Sequence, residues 1–215
     1  MSNGRAPLPR DEGRAAVIRQ AAGAIARHGY HGMSMRDLAK ATKRSLASFY
    51  HLFDSKEEIL FELQKTAFES LILAAETAIA DPPTPKEKLE AFIDNHVRFF
   101  VAQPDVMRVL VVEAAALPPN QRAIIRNLKQ RYFELGENVL AQLAAKPGLE
   151  PDPIALERAA YCVFGMLNWI FGWYEPERHG PPSALVRTIV DCAEHGAAAA
   201  VLQRKRSSGN KRRRS

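Results

Sequence analysis

Between Lys43 and Lys56 the chain gathers side chains of the kinds that bind phosphates and base edges. Lys43, Arg44, Ser45, Leu46, Ser48, Tyr50 and His51 fall within nine residues, and Lys56 follows five residues later. Ammonium, hydroxyl and phenol groups suit phosphate oxygens, whereas guanidinium, hydroxyl and imidazole groups can reach base edges. Ser34 and Arg36, slightly earlier, carry the same chemistry. Nothing in the sequence suggests catalysis. It has no Gly-rich phosphate loop, no Gly-x-Ser-x-Gly, no His-Glu-x-x-His and no Cys-x-x-Cys. The six histidines, at 28, 31, 51, 96, 179 and 195, lack acid partners at metal-ligand spacing. No catalytic residue, metal or cofactor is therefore expected.

The elements that must position these groups read as helices almost throughout, with no alternating strand pattern. Residues 11–28 put Ala15, Ile18, Ala21, Ala22, Ile25 and Ala26 on one face. Gly29 suits the left-handed position that ends such a helix. Ser34, with Asp37 three residues on, caps a short helix to about Ala41. After a turn at Thr42-Lys43-Arg44, Ser45 caps a second short helix to about Leu52. Ser55 and Glu58 form a capping box for a long helix to about Ala80. Five further helices are expected at about 86–102, 104–115, 119–145, 153–174 and 182–203, punctuated by prolines. Two short helices joined by a tight turn within a three-helix unit have helix-turn-helix geometry, the second entering the major groove by its N-terminal end. The fold expected is all-α, with about nine helices. It comprises a DNA-binding head at 11–71 (motif about 34–53), a helical body at 72–203 and a disordered basic tail at 204–215.

Charge separates these parts. Residues 1–56 carry a net +6, residues 57–202 a net −7 and residues 203–215 a net +7. A basic head on an acidic body fits a head that meets a polyanion. The tail would add nonspecific DNA affinity through counterion release. With 47% hydrophobic and 25% charged residues the chain has globular composition. No uninterrupted apolar run approaches the roughly 18 residues of a membrane span. A polar N-terminus without an apolar h-region, and two cysteines (Cys162 and Cys192) set in apolar segments, fit a cytoplasmic protein with both thiols as small core residues.

Residues 18–60 resemble the DNA-binding domain of TetR/AcrR transcriptional regulators. The resemblance rests on Ala21-Ala22, Gly29-Tyr30, Met33-Ser34-Met35-Arg36-Asp37-Leu38-Ala39 and Phe49-Tyr50-His51-Leu52-Phe53-Asp54-Ser55-Lys56-Glu57-Glu58-Ile59-Leu60, of which Tyr50-His51-x-Phe53-x-Ser55-Lys56-Glu57 is the most specific string. Three positions depart from the family pattern. Lys43 stands where glycine is usual, Arg44 where an apolar residue is usual and Ala47 where glycine is common. Lys43 would then adopt a left-handed backbone at a cost of about 1 kcal/mol. The body, through Arg131-Tyr132-Phe133-Glu134 and Gly165-Met166-Leu167-Asn168-Trp169, is similar to a subgroup with members that respond to coenzyme A thioesters.

The resemblance implies a body that dimerises and holds a small apolar effector, with acyl-CoA thioesters among the candidate classes. Walls could come from Phe92, Phe100, Met107, Tyr132, Trp169 and Trp173, and polar contacts from His96 and Asn168, although aromatics at helical spacing also serve as plain core. The dimer interface is expected on the last two helices, through Phe164, Leu167, Ala193, Gly196, Ala197 and Ala200; the same small residues could equally pack within one chain. The reading is a dimeric regulator, a repressor released from a palindromic operator by its ligand, without membrane attachment. The alternative is an all-helical small-molecule binding protein whose altered turn impairs DNA readout.

Overall fold

The computed structural model describes residues 10–113, 115–145, 152–198 and 201. Among these, ten α-helices and no strand occur: α1 (Arg10–His28), α2 (Met35–Ala41), α3 (Leu46–Tyr50), α4 (Lys56–Ala80), α5 (Pro85–Ala102), α6 (Pro104–Val112), α7 (Pro119–Ala144), α8 (Pro153–Asn168), α9 (Pro176–His179) and α10 (Pro182–Cys192). The basic tail and the Pro147-Gly148 connection lie outside the described residues. The chain folds as two compact units, Met1–Phe68 with Gln103–Asn127, and Glu69–Ala102 with Leu128–Ser215. The first unit thus takes in α6 and the start of α7, which a single cut after residue 71 leaves out. Packing between segments far apart in sequence carries no local signal.

In the first unit, α1 ends where Gly29 turns left-handed at φ +75, its N–H donating to the Ile25 carbonyl at 2.8 Å. Ala21 and Ala22 are fully buried, and α1 packs against α6, which buries Val106, Met107, Val109 and Leu110. The expected capping box at α2 is present. The Asp37 N–H donates to Ser34 Oγ at 3.3 Å, and Asp37 Oδ2 accepts from the Ser34 N–H at 2.9 Å and hydroxyl at 2.6 Å. Those bonds from Ser34 hold the Asp37 carboxyl below its usual range. Lys43 has φ +54, the left-handed backbone the turn requires. Thr42 is buried, its hydroxyl donating to the carbonyls of Leu38 and Ala39. Ser45 caps α3, accepting the Ser48 N–H at 3.1 Å. Phe49 and Phe53, one helical turn apart, are both buried with ring centroids 5.4 Å apart. Arg14 of α1 lies over the Phe53 ring at 4.3 Å, pairs with Glu58 at 2.6 Å and with Glu62, and donates to the Leu52 carbonyl. One guanidinium therefore ties α1 to the end of α3 and the start of α4.

In the second unit, α5 packs against α8 and α10. Phe92, His96 and Phe100 recur every four residues of α5 and are buried. His96 stacks on Phe100 and Tyr132, and Phe164 of α8 meets Phe92, His96 and Tyr132 edge-on. Gly136 of α7 makes this packing possible, because a Cβ there would sit 2.9 Å from Phe164 and 3.0 Å from Phe92. The polar groups inside form a directed chain. Asn95 donates to the Leu71 carbonyl at 3.3 Å and to the Tyr132 hydroxyl, which lies 3.0 Å from His96 Nδ1. His96 Nε2 has only a weak interaction with the Leu167 backbone and no hydrogen bond of ordinary geometry.

Two expected helices are interrupted. The segment 153–174 is helical to Asn168 and continues as a 3₁₀ turn, Ile170–Gly172, with the Trp169 ring lying over Gly172, where a Cβ would be 3.2 Å from it. The segment 182–203 leaves α-geometry at Ala193 for a π-helical stretch, Ala193–Ala198. Its alanines and Gly196 supply little side-chain packing to hold the tighter ladder. α9, opened by Pro176, was not foreseen. Residues 153–172 have mean hydropathy 1.2, long and apolar enough to cross a bilayer, although Glu157 and Arg158 break any continuous run. Only 39% of that stretch is buried in the chain, and Ile154, Tyr161 and Trp169 are each about 60% exposed.

The Lys43 turn predicts a pair of opposite effects. Lys43→Gly should be neutral or stabilising by up to about 1 kcal/mol, whereas the β-branched Lys43→Val should cost more than about 1 kcal/mol, both read by urea unfolding. The core histidine predicts a pH effect. Burial lowers the His96 pKa to about 3, while the unfolded chain takes up that proton below about 6.5. Stability from neutral His96 is therefore complete above about pH 6.5 and declines as pH falls toward 3, by up to about 1.4 kcal/mol per pH unit. His96→Gln should flatten the stability–pH curve between pH 6.5 and 5 by about that slope.

Candidate nucleic-acid interface and effector site

The α2–turn–α3 segment presents Ser34, Arg36, Lys43, Arg44, Ser45 and His51 exposed, Tyr50 half exposed, and Leu46 and Ser48 partly covered. Buried Leu38, Ala39 and Phe49 hold the inner side of the pair, so the polar groups are left outward. Arg44 extends into solvent, its backbone N–H bonded to the Ala39 carbonyl at 2.9 Å. Ser34, Tyr50 and Lys56 share one open depression of about 590 Å³, lined also by His31, Met33 and Ser55. Lys43, Arg44, Ser45 and His51 do not line it.

At the start of α4, Ser55 Oγ accepts the Glu58 N–H at 3.1 Å, while Glu58 reaches back to the Asp54 N–H at 2.6 Å. Lys56 follows as the first helical residue. Its Nζ donates to the carbonyls of Met33 at 3.3 Å and Tyr30 at 3.5 Å, and lies 4.5 Å from the Tyr30 ring centroid. Helix-start amides beside an ammonium suit a phosphate oxygen. Ser34 fits less well than its type suggests, because its hydroxyl is engaged both ways with Asp37. His31, Ser55 and Tyr30 were not foreseen in this site. Tyr30 acts partly through its backbone carbonyl, which no side-chain pattern announces.

Of the residues expected to line an effector pocket, Phe92, His96, Phe100 and Tyr132 converge in the aromatic cluster of the second unit. Met107 belongs to the first unit, buried in α6. Asn168 is partly covered, and Trp169 and Trp173 are exposed, so the two tryptophans do not join the buried cluster. Burial raises the Tyr132 hydroxyl pKa against the lowering effect of Asn95.

Phe164, Leu167 and Ala193, expected at an interface between copies, are instead buried within the chain. Gly196 is exposed, Ala197 partly covered, and Ala200 lies outside the described residues. The outward face of α8 carries Ile154, Glu157, Arg158, Tyr161, Cys162 and Gly165, with Trp169 capping its end. Cys162 and Cys192, expected in the core, are both exposed. Among the described residues, Asp191, Glu194 and His195 bring potential ligand atoms within 4.8 Å of one another at the surface, with Glu194 paired to Lys86 at 2.7 Å.

Comparison with known proteins follows the same division. Residues 17–63 match the family of bacterial regulatory proteins of the tetR type, and residues 82–206 match the tetracyclin repressor-like C-terminal domain. The HTH-type transcriptional repressor KstR2 of Rhodococcus jostii is 26% identical over 165 residues, 76% of this chain and 80% of that protein. The HTH-type regulator BetI of Agrobacterium fabrum is 33% identical over 86 residues, and the chain spans 41% of its length. Among solved structures, a TetR-family regulator from Bordetella parapertussis has a TM-score of 0.79 at 27% identity, covering 84% of this chain and 93% of that one. AibR, solved in complex with isovaleryl coenzyme A and operator DNA, has a TM-score of 0.73 at 25% identity, covering 85% and 97%. With the second domain family alone spanning more than half of the sequence, this chain belongs to the TetR family of DNA-binding transcriptional regulators.

Proposed function

We propose that the protein is a homodimeric repressor that binds a palindromic operator and leaves it when a small apolar ligand occupies its body. The observation that carries this reading is the exposed set on α3 and its turn (Arg44, Ser45 and His51, with Ser48 partly covered) together with the Lys56 helix start. The first group has the chemistry to read base edges; the second, with Tyr50, has the chemistry to hold phosphates. Two heads about one turn of DNA apart would read a palindrome. The head at 11–71, the body at 72–203, a cytoplasmic location and the absence of catalysis complete the proposal.

The complex of AibR with isovaleryl coenzyme A and operator DNA supports a thioester effector for this chain. Within the body, the Asn95–Tyr132–His96 chain inside the aromatic cluster supplies the polar groups such a ligand would meet. Ligand release requires tighter binding to the DNA-incompetent state, and DNA must weaken ligand binding by the same factor. For the dimer, the exposed apolar groups Ile154 and Tyr161 on α8 and Trp169 at its cap, set among Glu157 and Arg158, support an interface displaced from the buried Phe164 and Leu167.

Selection of fragments of the source genome on the purified protein tests the whole reading. Enrichment of a palindrome near genes for acyl-thioester metabolism is expected, and no enrichment even at low salt would sink the operator. The interface has its own test. Tyr161→Glu would put a charge into that face on each copy and should turn a dimer into monomers by sedimentation velocity, with helicity retained.

A further inference from the structure

Glu113, at the end of α6, is 57 residues from Lys56 in sequence, yet it closes the frame around that lysine. Its Oε1 accepts the Tyr30 backbone N–H at 3.0 Å. Its backbone carbonyl accepts from Gln64 Nε2 of α4 at 3.2 Å. Tyr30, 2% exposed, works in four directions. Its N–H is held by Glu113, its carbonyl accepts from Lys56, its ring lies under the Lys56 ammonium, and its hydroxyl donates to Glu57 Oε1 at 2.8 Å. The left-handed Gly29 turns the chain so that the Tyr30 N–H faces α6. All of these residues lie in the same compact unit.

We propose that Glu113 is a positioning residue for DNA binding: by holding the Tyr30 backbone, it fixes the carbonyl and ring that aim the Lys56 ammonium at a phosphate. The inference rests on the phosphate contact assigned to Lys56 above. An ammonium has three N–H groups. Two are taken by the carbonyls of Tyr30 and Met33, which leaves one N–H not engaged by them on a residue that lines the open depression. Without the Glu113 acceptor the buried Tyr30 N–H has lost its partner, and the corner that aims Lys56 relaxes. A lysine that is no longer aimed keeps its charge but loses its fixed place on the backbone.

The salt dependence of binding to a mixed-sequence DNA duplex several helical turns long reads this directly, because it counts phosphates neutralised rather than fold stability. With the full chain, Lys56→Ala should reduce the log–log slope by about 0.9 for each head. Glu113→Ala should lose the same amount, and the double variant should lose no more. Glu113→Gln, with an amide oxygen that still accepts from Tyr30, should restore the original slope. Should Glu113→Ala not fold by circular dichroism, Glu113→Asp, too short to reach Tyr30, takes its place with the same expectation. A wild-type slope in the folded Glu113→Ala or Glu113→Asp variant, even with a lowered Tm, would show a merely structural role and overturn the proposal. An additive loss in the double variant would also overturn it. An unchanged slope in Lys56→Ala would remove the phosphate contact itself, and this inference with it.

Discussion

A five-residue helix cannot stand on its own, because fixing its first turn costs more than its few hydrogen bonds return. α3 is such a helix, and it carries much of the polar surface proposed to meet DNA. Its existence depends on what surrounds it. Ser45 satisfies an amide at its start, Phe49 is buried beneath it, and Phe53 continues that packing beyond its end. Arg14 then clamps the Leu52 carbonyl and the first turns of α4 onto α1. The proposed reading surface is a thin polar layer held in shape by an apolar and ionic frame built from helices around it.

That frame decided which features were legible in advance. Caps are local chemistry, so Ser34 with Asp37, Ser45, and Ser55 with Glu58 marked their helix starts correctly. The left-handed backbone of Lys43 followed from the place it occupies in the turn, where glycine is usual. Sidedness was harder. After Arg158, α8 is apolar around nearly its whole circumference to Leu167, so spacing alone could not say that Phe164 and Leu167 face inward while Tyr161 and Trp169 face out. Cys162 was misplaced for the same reason, whereas Cys192 sits on the exposed side of α10, next to Asp191. Tyr30 carries part of the family resemblance, but its place in the site is not legible because half of its contacts are made by its backbone, and that of Glu113 is not because its partner lies 83 residues away.

The aromatic cluster of the body bears on ligand response. Its rings are packed around Gly136 with no room for a further methyl group. A ligand entering there must displace rings that already satisfy one another, and it regains that cost only through contacts the packed cluster lacks. His96 Nε2, buried with only the Leu167 backbone nearby, is one group that would gain from a new partner. Tight packing of this kind favours discrete rearrangement over gradual swelling, because dense cores move between alternative packings.

The uncovered stripe of α8 also matters before the protein is finished. A chain leaving the ribosome with Ile154, Tyr161 and Trp169 facing water exposes the kind of surface that promotes indiscriminate sticking. Where a second copy covers that face, as proposed above, the hazard lasts only until two copies meet. The pairing proposed above would therefore make the newly folded, unpaired chain the stage most prone to aggregation.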